Sequence, residues 1–383
     1  MDQNIIYMDH AATTPLAPEV LTAMLPWFRE GYGNASAIYP LGLKSASAID
    51  RAREYCADVI RAEAGEIYFT SGGSEADNWA LVGTAEKYAP KGGHIITTAM
   101  EHHAILNTCR YLETRGYEVT RLLPDSEGRI HPEQVHEAIR DNTFLVSIMT
   151  ANNEIGAVQP VREIGKLCRS RKILFHTDAV QAFAHIPIDV KEDCIDMLSA
   201  SGHKFNGPKG TGLLYMRKGL RLPPFIRGGQ QERGRRAGTE NVAGIVGLGE
   251  AARIAGTRLP AEMAAVSEIR DYLMNEMLRL VPGAKVNGGL KYRLPNNMNF
   301  LFPGTDGERL LLKLAERGIC VSAGSACASG STEPSHVLRS IGLTHAEAMG
   351  SLRFTLGHET TREDAAAAAR ATSELIHGLK KDS

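Results

Sequence analysis

Three stretches with reactive side chains each fall where an apolar, β-prone run ends. Ser71-Gly72-Gly73-Ser74-Glu75 follows the run Ile67–Thr70 and opens a helical pattern near Glu75, so free backbone N–H groups and a helix dipole would converge there on an anion. A phosphate fits that chemistry, because the glycines admit close approach and Ser74 adds a hydroxyl. A glycine turn with a serine cap accounts for the same residues, and the lack of a following Gly-Lys-Ser/Thr excludes a Walker loop. His176-Thr177-Asp178-Ala179-Val180-Gln181 ends a second run, the position at which open α/β sheets present ligands. Asp178 is there either aimed at a ligand or capping a helix. Ser201-Gly202-His203-Lys204 ends a third run, ahead of Asn206-Gly207-Pro208-Lys209-Gly210. A lysine so placed is either a solvated surface charge or an amine able to form a Schiff base.

A lysine for an aldehyde, a carboxylate for a pyridinium nitrogen and a helix N-terminus for a phosphate are the three parts that pyridoxal phosphate (PLP) asks of a protein. A different chemistry is written in Ser322 to Thr332, small residues throughout with Cys327 at the centre. Poor as core packing, that stretch reads as a mobile loop with an exposed thiol. Cys56, Cys109 and Cys320 have periodic apolar neighbours and read instead as buried. The six cysteines contain no Cys-x-x-Cys pair, which argues against both a zinc site and a disulfide framework.

These residues need a scaffold, and the pattern supplies one. Between about residues 66 and 216 the runs Ile67–Thr70, Ile95–Thr98, Glu118–Leu122, Phe144–Thr150, Ile173–Thr177, Ile195–Ser199 and Gly212–Met216 alternate with helical segments, as in a mostly parallel sheet covered by helices on both faces. Ile105, Cys109 and Leu112 share one helical face, and Gly116 is placed to end that helix. Ala46, Ile49, Cys56, Val59 and Ile60 mark an earlier amphipathic helix. A long helical stretch from Val242 to Leu280, interrupted near Pro260, leads to a region of different rhythm: strands Met298–Phe302, Ile319–Ser322 and Ser351–Thr355 with helices Glu308–Arg317 and Pro334–Ile341. A last helix, Arg362 to about Ile376, is capped by Thr360 or Thr361. The expected division is a large domain over 15–255 and a smaller α+β domain made of 1–14 and 256–383.

With 383 residues the chain holds a core too large to need staples. Its 43 basic and 44 acidic side chains balance to a net charge of -1, which gives no general attraction to nucleic acid or anionic lipid. No apolar run approaches a membrane span, and Met1-Asp2-Gln3-Asn4 lacks signal-peptide character. A cytoplasmic location is therefore expected.

Further stretches complete a pattern: Asp9-His10-Ala11-Ala12-Thr13-Thr14-Pro15, Thr70 to Asn78, Glu101-His102-His103, Asn152-Asn153-Glu154-Ile155-Gly156, Asp178 with Gln181, Ser201 to Lys204, Arg236-Ala237-Gly238-Thr239, Ser325-Ala326-Cys327 and Arg353-Phe354. On these the chain, over nearly its whole length, resembles the NifS/IscS-like cysteine desulfurases of the class V aminotransferase family, which are fold-type-I PLP enzymes. The resemblance implies a large domain with a mostly parallel seven-stranded sheet plus the smaller α+β domain. It also implies that Lys204 holds the PLP aldehyde, that Asp178 pairs with the ring nitrogen, that Gln181 and Asn153 bond the phenolic oxygen, and that His102 stacks on the ring. Gly73, Ser74, Ser201 and His203 would hold the phosphate, with Thr239 reaching it from the other subunit of a homodimer.

By the same resemblance Arg353 and Asn34 bind the substrate, L-cysteine, with Arg353 on its carboxylate; a structural salt bridge is the other reading of Arg353. Lys204 acts as general acid/base, His102 takes part in catalysis, and the Cys327 thiolate takes the sulfur as a persulfide, leaving L-alanine. The sulfur would pass to an acceptor protein, an iron–sulfur scaffold or a tRNA-thiolating enzyme. No intrinsic metal is implied, although Cys327 would be available as a shared iron–sulfur ligand with a scaffold. Transamination and selenocysteine cleavage are the rival chemistries, and a non-catalytic assembly partner is the rival outside enzymes. Two stretches depart from the family pattern: Gly33-Asn34-Ala35-Ser36-Ala37-Ile38-Tyr39 lacks the usual Pro-Ser-Ser and histidine, and Gly228-Gly229-Gln230-Gln231-Glu232-Arg233 has glutamines where a histidine is common.

Overall fold

The computed structural model describes residues 5–323 and 333–379, so Cys327 and the centre of its expected loop lie outside the described residues. In chain order the strands are β1 (Ile6–Tyr7), β2 (Ile67–Thr70), β3 (His94–Thr98), β4 (Glu118–Leu122), β5 (Thr143–Ser147), β6 (Leu174–Asp178), β7 (Met197–Ser201), β8 (Gly212–Met216), β9 (Lys285–Val286), β10 (Asn297–Leu301), β11 (Ile319–Cys320) and β12 (Ser351–Thr355). Seven of them form one sheet in the order β2-β8-β7-β6-β5-β3-β4. Only β8 runs against its neighbours; the pairs from β7 through β4 are parallel. The fold is therefore α/β with a mostly parallel seven-stranded sheet.

Side-chain alternation explains why both faces are covered. Ile67, Phe69, Ile96, Val146, Leu198, Leu213 and Tyr215 enter one core with Ile49, Ala52 and Cys56 of helix Pro40–Val59. Their strand neighbours Tyr68, Ile95, Leu145, Met197, Leu214 and Met216 enter another, with Ala76 and Trp79 of helix Gly73–Tyr88 and Ile105, Cys109 and Leu112 of helix His103–Thr114. Each fully buried Leu, Ile, Val, Phe or Met among them contributes roughly 1.5–3 kcal/mol. A separate core gathers Met8, Phe300, Phe302, Leu352 and Phe354 with Leu310, Leu314, Ala368 and Ile376. There β12-β10-β9 form a three-stranded sheet, and β1 pairs in parallel with β11.

Several expectations change. The strand expected over Phe144–Thr150 ends at Ser147, the one expected over Ile195–Ser199 is Met197–Ser201, the helix expected over Pro334–Ile341 is His336–Ser340, and Cys320 is only partly buried. The helix Val242–Leu280 runs unbroken with Pro260 inside it. Proline in a helix interior costs about 3 kcal/mol, but here each half is tied to its own core, Ile245, Leu248 and Ala252 on one side and Val266, Leu273 and Met277 on the other. Gly249 lets this helix press on helix Pro40–Val59, since a Cβ there would lie 2.5 Å from Ala52 Cα. The strand expected over Ile319–Ser322 stops at Cys320, with Ser322 making a single bridge to Arg353. At the last helix, Arg362–Leu379, the cap is Thr361, whose Oγ1 accepts the Asp364 N–H at 3.1 Å.

Candidate active site

Every parallel strand at the middle of the sheet ends on the same edge. β6 ends at Asp178, β7 ends at Ser201 and a tight turn, Gly202–Lys204, carries on to the lysine; β2 leads to the start of helix Gly73–Tyr88; β3 leads to Glu101 and His102, the N-cap of helix His103–Thr114. A cleft of about 870 Å³ opens there. It brings together Gly73, Ser74, His102, Asn153, Asp178, Gln181, Ser201, His203, Lys204 and Arg353. Thr239 and Asn34 are exposed and do not line it.

The Lys204 Nζ donates to the carbonyls of Ala11 and Ala12, both at 2.8 Å. Burial brings its pKa down to about 8; the Arg353 charge acts the same way, while Asp178 and Asp9 oppose it. Gln181 Nε2 donates to the same Ala11 carbonyl at 2.9 Å. Asp178 Oδ1 accepts the Val180 N–H at 2.9 Å, so the carboxylate does cap the turn that follows while still lining the cleft. Burial raises its pKa, with His102 and Lys204 pulling the other way. His102 Nδ1 accepts the Ala104 N–H at 3.1 Å, which leaves Nε2 to carry the proton of the neutral ring. Although solvent reaches His102 through the cleft, desolvation by the walls holds its pKa below the ordinary value. His203 Nδ1 lies 3.2 Å from Thr13 Oγ1, and burial takes its pKa down to about 4.

Some of the wall carried no assigned role in the sequence reading. Asp77, one helical turn after Gly73, is buried beside Asp178, and burial first and the Asp178 charge second push its pKa well up. Glu101, behind His102, is driven to about 8 by burial and accepts from Thr98 Oγ1 at 2.9 Å and the Met149 N–H at 3.0 Å. His336 Nε2 reaches the Glu101 carbonyl at 2.9 Å. The Gly73-to-Asp77 spacing of one helical turn was the available signal for Asp77; His336 had none.

Whether PLP suits this cleft is a question about the donor set. Gly72 sits at φ 156°, ψ -179°, a conformation left to glycine, and a Cβ on Gly73 would lie 2.6 Å from Val180 Cγ2. The backbone there is bare at a helix N-terminus, as an anion requires. Asp77 Oδ1 is buried with no hydrogen-bond partner among the described residues. One nitrogen or carboxylate oxygen from each of Asp77, His102 and Asp178 lies within 4.8 Å of the others, so two carboxylates stand where a cationic ring N–H would need an acceptor. With Lys204 as the amine, the residues fit the cofactor.

Comparison with known proteins agrees with this geometry. The family model described as aminotransferase class-V matches residues 6–367. A cysteine desulfurase IscS of Methanosarcina thermophila is 50% identical over 379 residues, covering 99% of this chain and 94% of that protein. A cysteine desulfurase of a Nostoc species is 45% identical over 98% of this chain and 94% of its own. Among solved structures, a NifS-like protein superposes with a TM-score of 0.92 at 36% identity, over 98% of this chain and 100% of that one. One titled SspA in complex with cysteine gives 0.82 at 42%, over 93% and 99%.

Proposed function

The chain belongs to the aminotransferase class-V family, and from that membership and the cleft we infer a PLP-dependent cysteine desulfurase that converts L-cysteine to L-alanine and hands on the sulfur. The observation that carries this reading is the meeting of Lys204, Asp178 and the Gly73 helix N-terminus in one cleft, in a chain half identical to a cysteine desulfurase.

Gly73, Ser74, Ser201 and His203 would hold the phosphate, Asp178 the ring nitrogen, Gln181 and Asn153 the phenolic oxygen, and His102 would stand against the ring. When bound, PLP supplies the electron sink that loosens the bonds at the substrate Cα. Arg353 orients the substrate by its carboxylate. Lys204 takes and returns the Cα proton at Nζ, a task suited to an amine whose pKa is brought down to about 8. Cys327, as thiolate, forms an S–S bond to the substrate sulfur as the C–S bond breaks; that bond pair stays with the carbon skeleton, which is protonated and leaves as L-alanine.

The acceptor we propose is an iron–sulfur scaffold or a tRNA-thiolating enzyme, the IscS name of the relatives supporting the former. We propose a homodimer as well. Leu25, Phe28, Tyr32, Ile38, Tyr39 and Leu43 are all more than half exposed, an apolar surface that a second copy would cover, and the exposed Thr239 would serve the neighbouring site. The division into domains 15–255 and 1–14 with 256–383 is supported by the separate cores. No described helix is long and apolar enough to cross a membrane, and the cytoplasm is the proposed location.

Incubating the purified holoenzyme with L-cysteine and a reducing thiol should release alanine and sulfide in equal amounts. Formation of pyruvate in place of alanine, or alanine without sulfide, would rule the reading out.

A further inference from the structure

We propose that Asp9 is the counterion of Arg353 in the ligand-free site and yields one arm of the guanidinium to the substrate's α-carboxylate, so that Asp9 sets how strongly carboxylate-bearing ligands are preferred. The inference rests on reading Arg353 as the carboxylate-binding residue.

Arg353 is 5% exposed on β12. Its Nη2 donates to Asp9 Oδ1 at 2.7 Å and its Nη1 to the Asn153 carbonyl at 3.1 Å, while the buried Nε has no partner among the described residues. In a guanidinium, Nε–H and one Nη2–H point the same way and form the side-on fork that a carboxylate accepts at both oxygens. Asp9 engages only one arm of that fork. The other arm is a buried donor left unsatisfied, whereas roughly nine in ten buried polar groups in folded proteins are paired. A bidentate carboxylate in the cleft would satisfy both arms. Asp9, on an extended segment with its side chain 20% exposed, is free to give up its single contact.

Asp9 is held beside Arg353 by backbone, independently of its own side chain. Thr355 N–H donates to the Met8 carbonyl at 2.8 Å, His10 N–H to the Thr355 carbonyl at 3.2 Å, and Ala11 N–H to Thr355 Oγ1 at 2.9 Å. Replacing the carboxylate by an amide thus removes a charge without removing the hydrogen bond or the segment. With Asp9 charged, an incoming carboxylate shares Arg353 with a like charge; with asparagine it does not. Asp9 acts through Arg353 and is a positioning residue.

The test titrates holoenzyme with L-alanine and with ethylamine, its counterpart without the carboxylate, followed by the absorbance change of the cofactor and by calorimetry. In D9N the ratio of the apparent Kd for ethylamine to that for L-alanine should rise roughly fivefold or more, because the influence of Asp9 on Lys204 is common to both ligands and cancels. An unchanged or lower ratio overturns the proposal. Arg353→Gln separates it from the underlying reading: if that variant keeps the wild-type preference for L-alanine, the role of Arg353 fails; if the preference is lost there but D9N changes nothing, only the role of Asp9 fails. Should D9N not fold, D9A is held to the same requirement.

Discussion

The state of the Lys204 amine is the most exposed consequence of this structure. An ordinary lysine titrates at 10.5, whereas burial first and the Arg353 charge second bring Lys204 down to about 8. That difference corresponds to roughly 3 kcal/mol held against the charged form. Because the folded pKa lies below the unfolded one, this cost applies wherever the amine is protonated in the fold, below about pH 8, and is relieved as pH rises from 8 towards 10.5. In apoprotein the consequence is kinetic: near pH 8 about half of Lys204 would be free base, against well under 1% of an ordinary lysine. Brief competitive labelling with a limiting acylating reagent across pH 6–11, read by peptide mass spectrometry with exposed Lys209 as internal reference, should give a midpoint near 8 for Lys204. Arg353→Gln should move that midpoint up, since a neighbouring positive charge is removed, and D9N should move it down, since a favourable negative one is lost. A midpoint at 10.5, or Arg353→Gln moving it down, would refute the electrostatic account of this site.

Borohydride reduction of the holoenzyme should leave the pyridoxyl group on Lys204, and peptide mapping that finds it on Lys209 or Lys218 would redirect the assignment. Cys327→Ser should still bind PLP and L-cysteine yet transfer no sulfur, with alkylation after brief exposure of the wild type to L-cysteine trapping a persulfide on Cys327. Asp178→Ala should lower turnover by roughly 10²-fold or more, measured as alanine release. Gly73→Ala forces a Cβ to 2.6 Å from Val180 Cγ2 and should loosen PLP retention on dialysis by roughly tenfold. Arg53→Ala removes one half of a buried pair in which Nη1 and Nη2 each meet Glu232 at 2.8 Å, and denaturant unfolding should show a loss of about 3–5 kcal/mol.

Much of the architecture is local information and was legible as such. Alternation along Ile67–Thr70 reports two buried faces because a strand turns over every residue, whereas the strand expected over Ile195–Ser199 proved to be Met197–Ser201. The glycines at 72 and 73, the aspartate at 178 and the lysine at 204 stand out because each follows a β-prone run, where side chains clear the sheet edge. Spacing along the chain also placed the helix face of Ile105, Cys109 and Leu112, and the turn at Gly116, whose φ is 88°. The role proposed for Cys327 rests on its small-residue surroundings and the family resemblance alone, since it lies outside the described residues.

Tertiary structure decided what depends on which distant segments meet. Arg353 and Asp9 are 344 positions apart, and only the docking of the N-terminal segment beside β12 makes them an ion pair. Pro260 read as a break because helix propensity is a local cost, and packing of both halves into separate cores overrides it. Asp77 became a buried acid only when helix Gly73–Tyr88 was laid on the sheet beside Asp178. The order β2-β8-β7-β6-β5-β3-β4 is likewise absent from any single segment, since periodicity tells each strand which face to bury and leaves open which neighbour it will find.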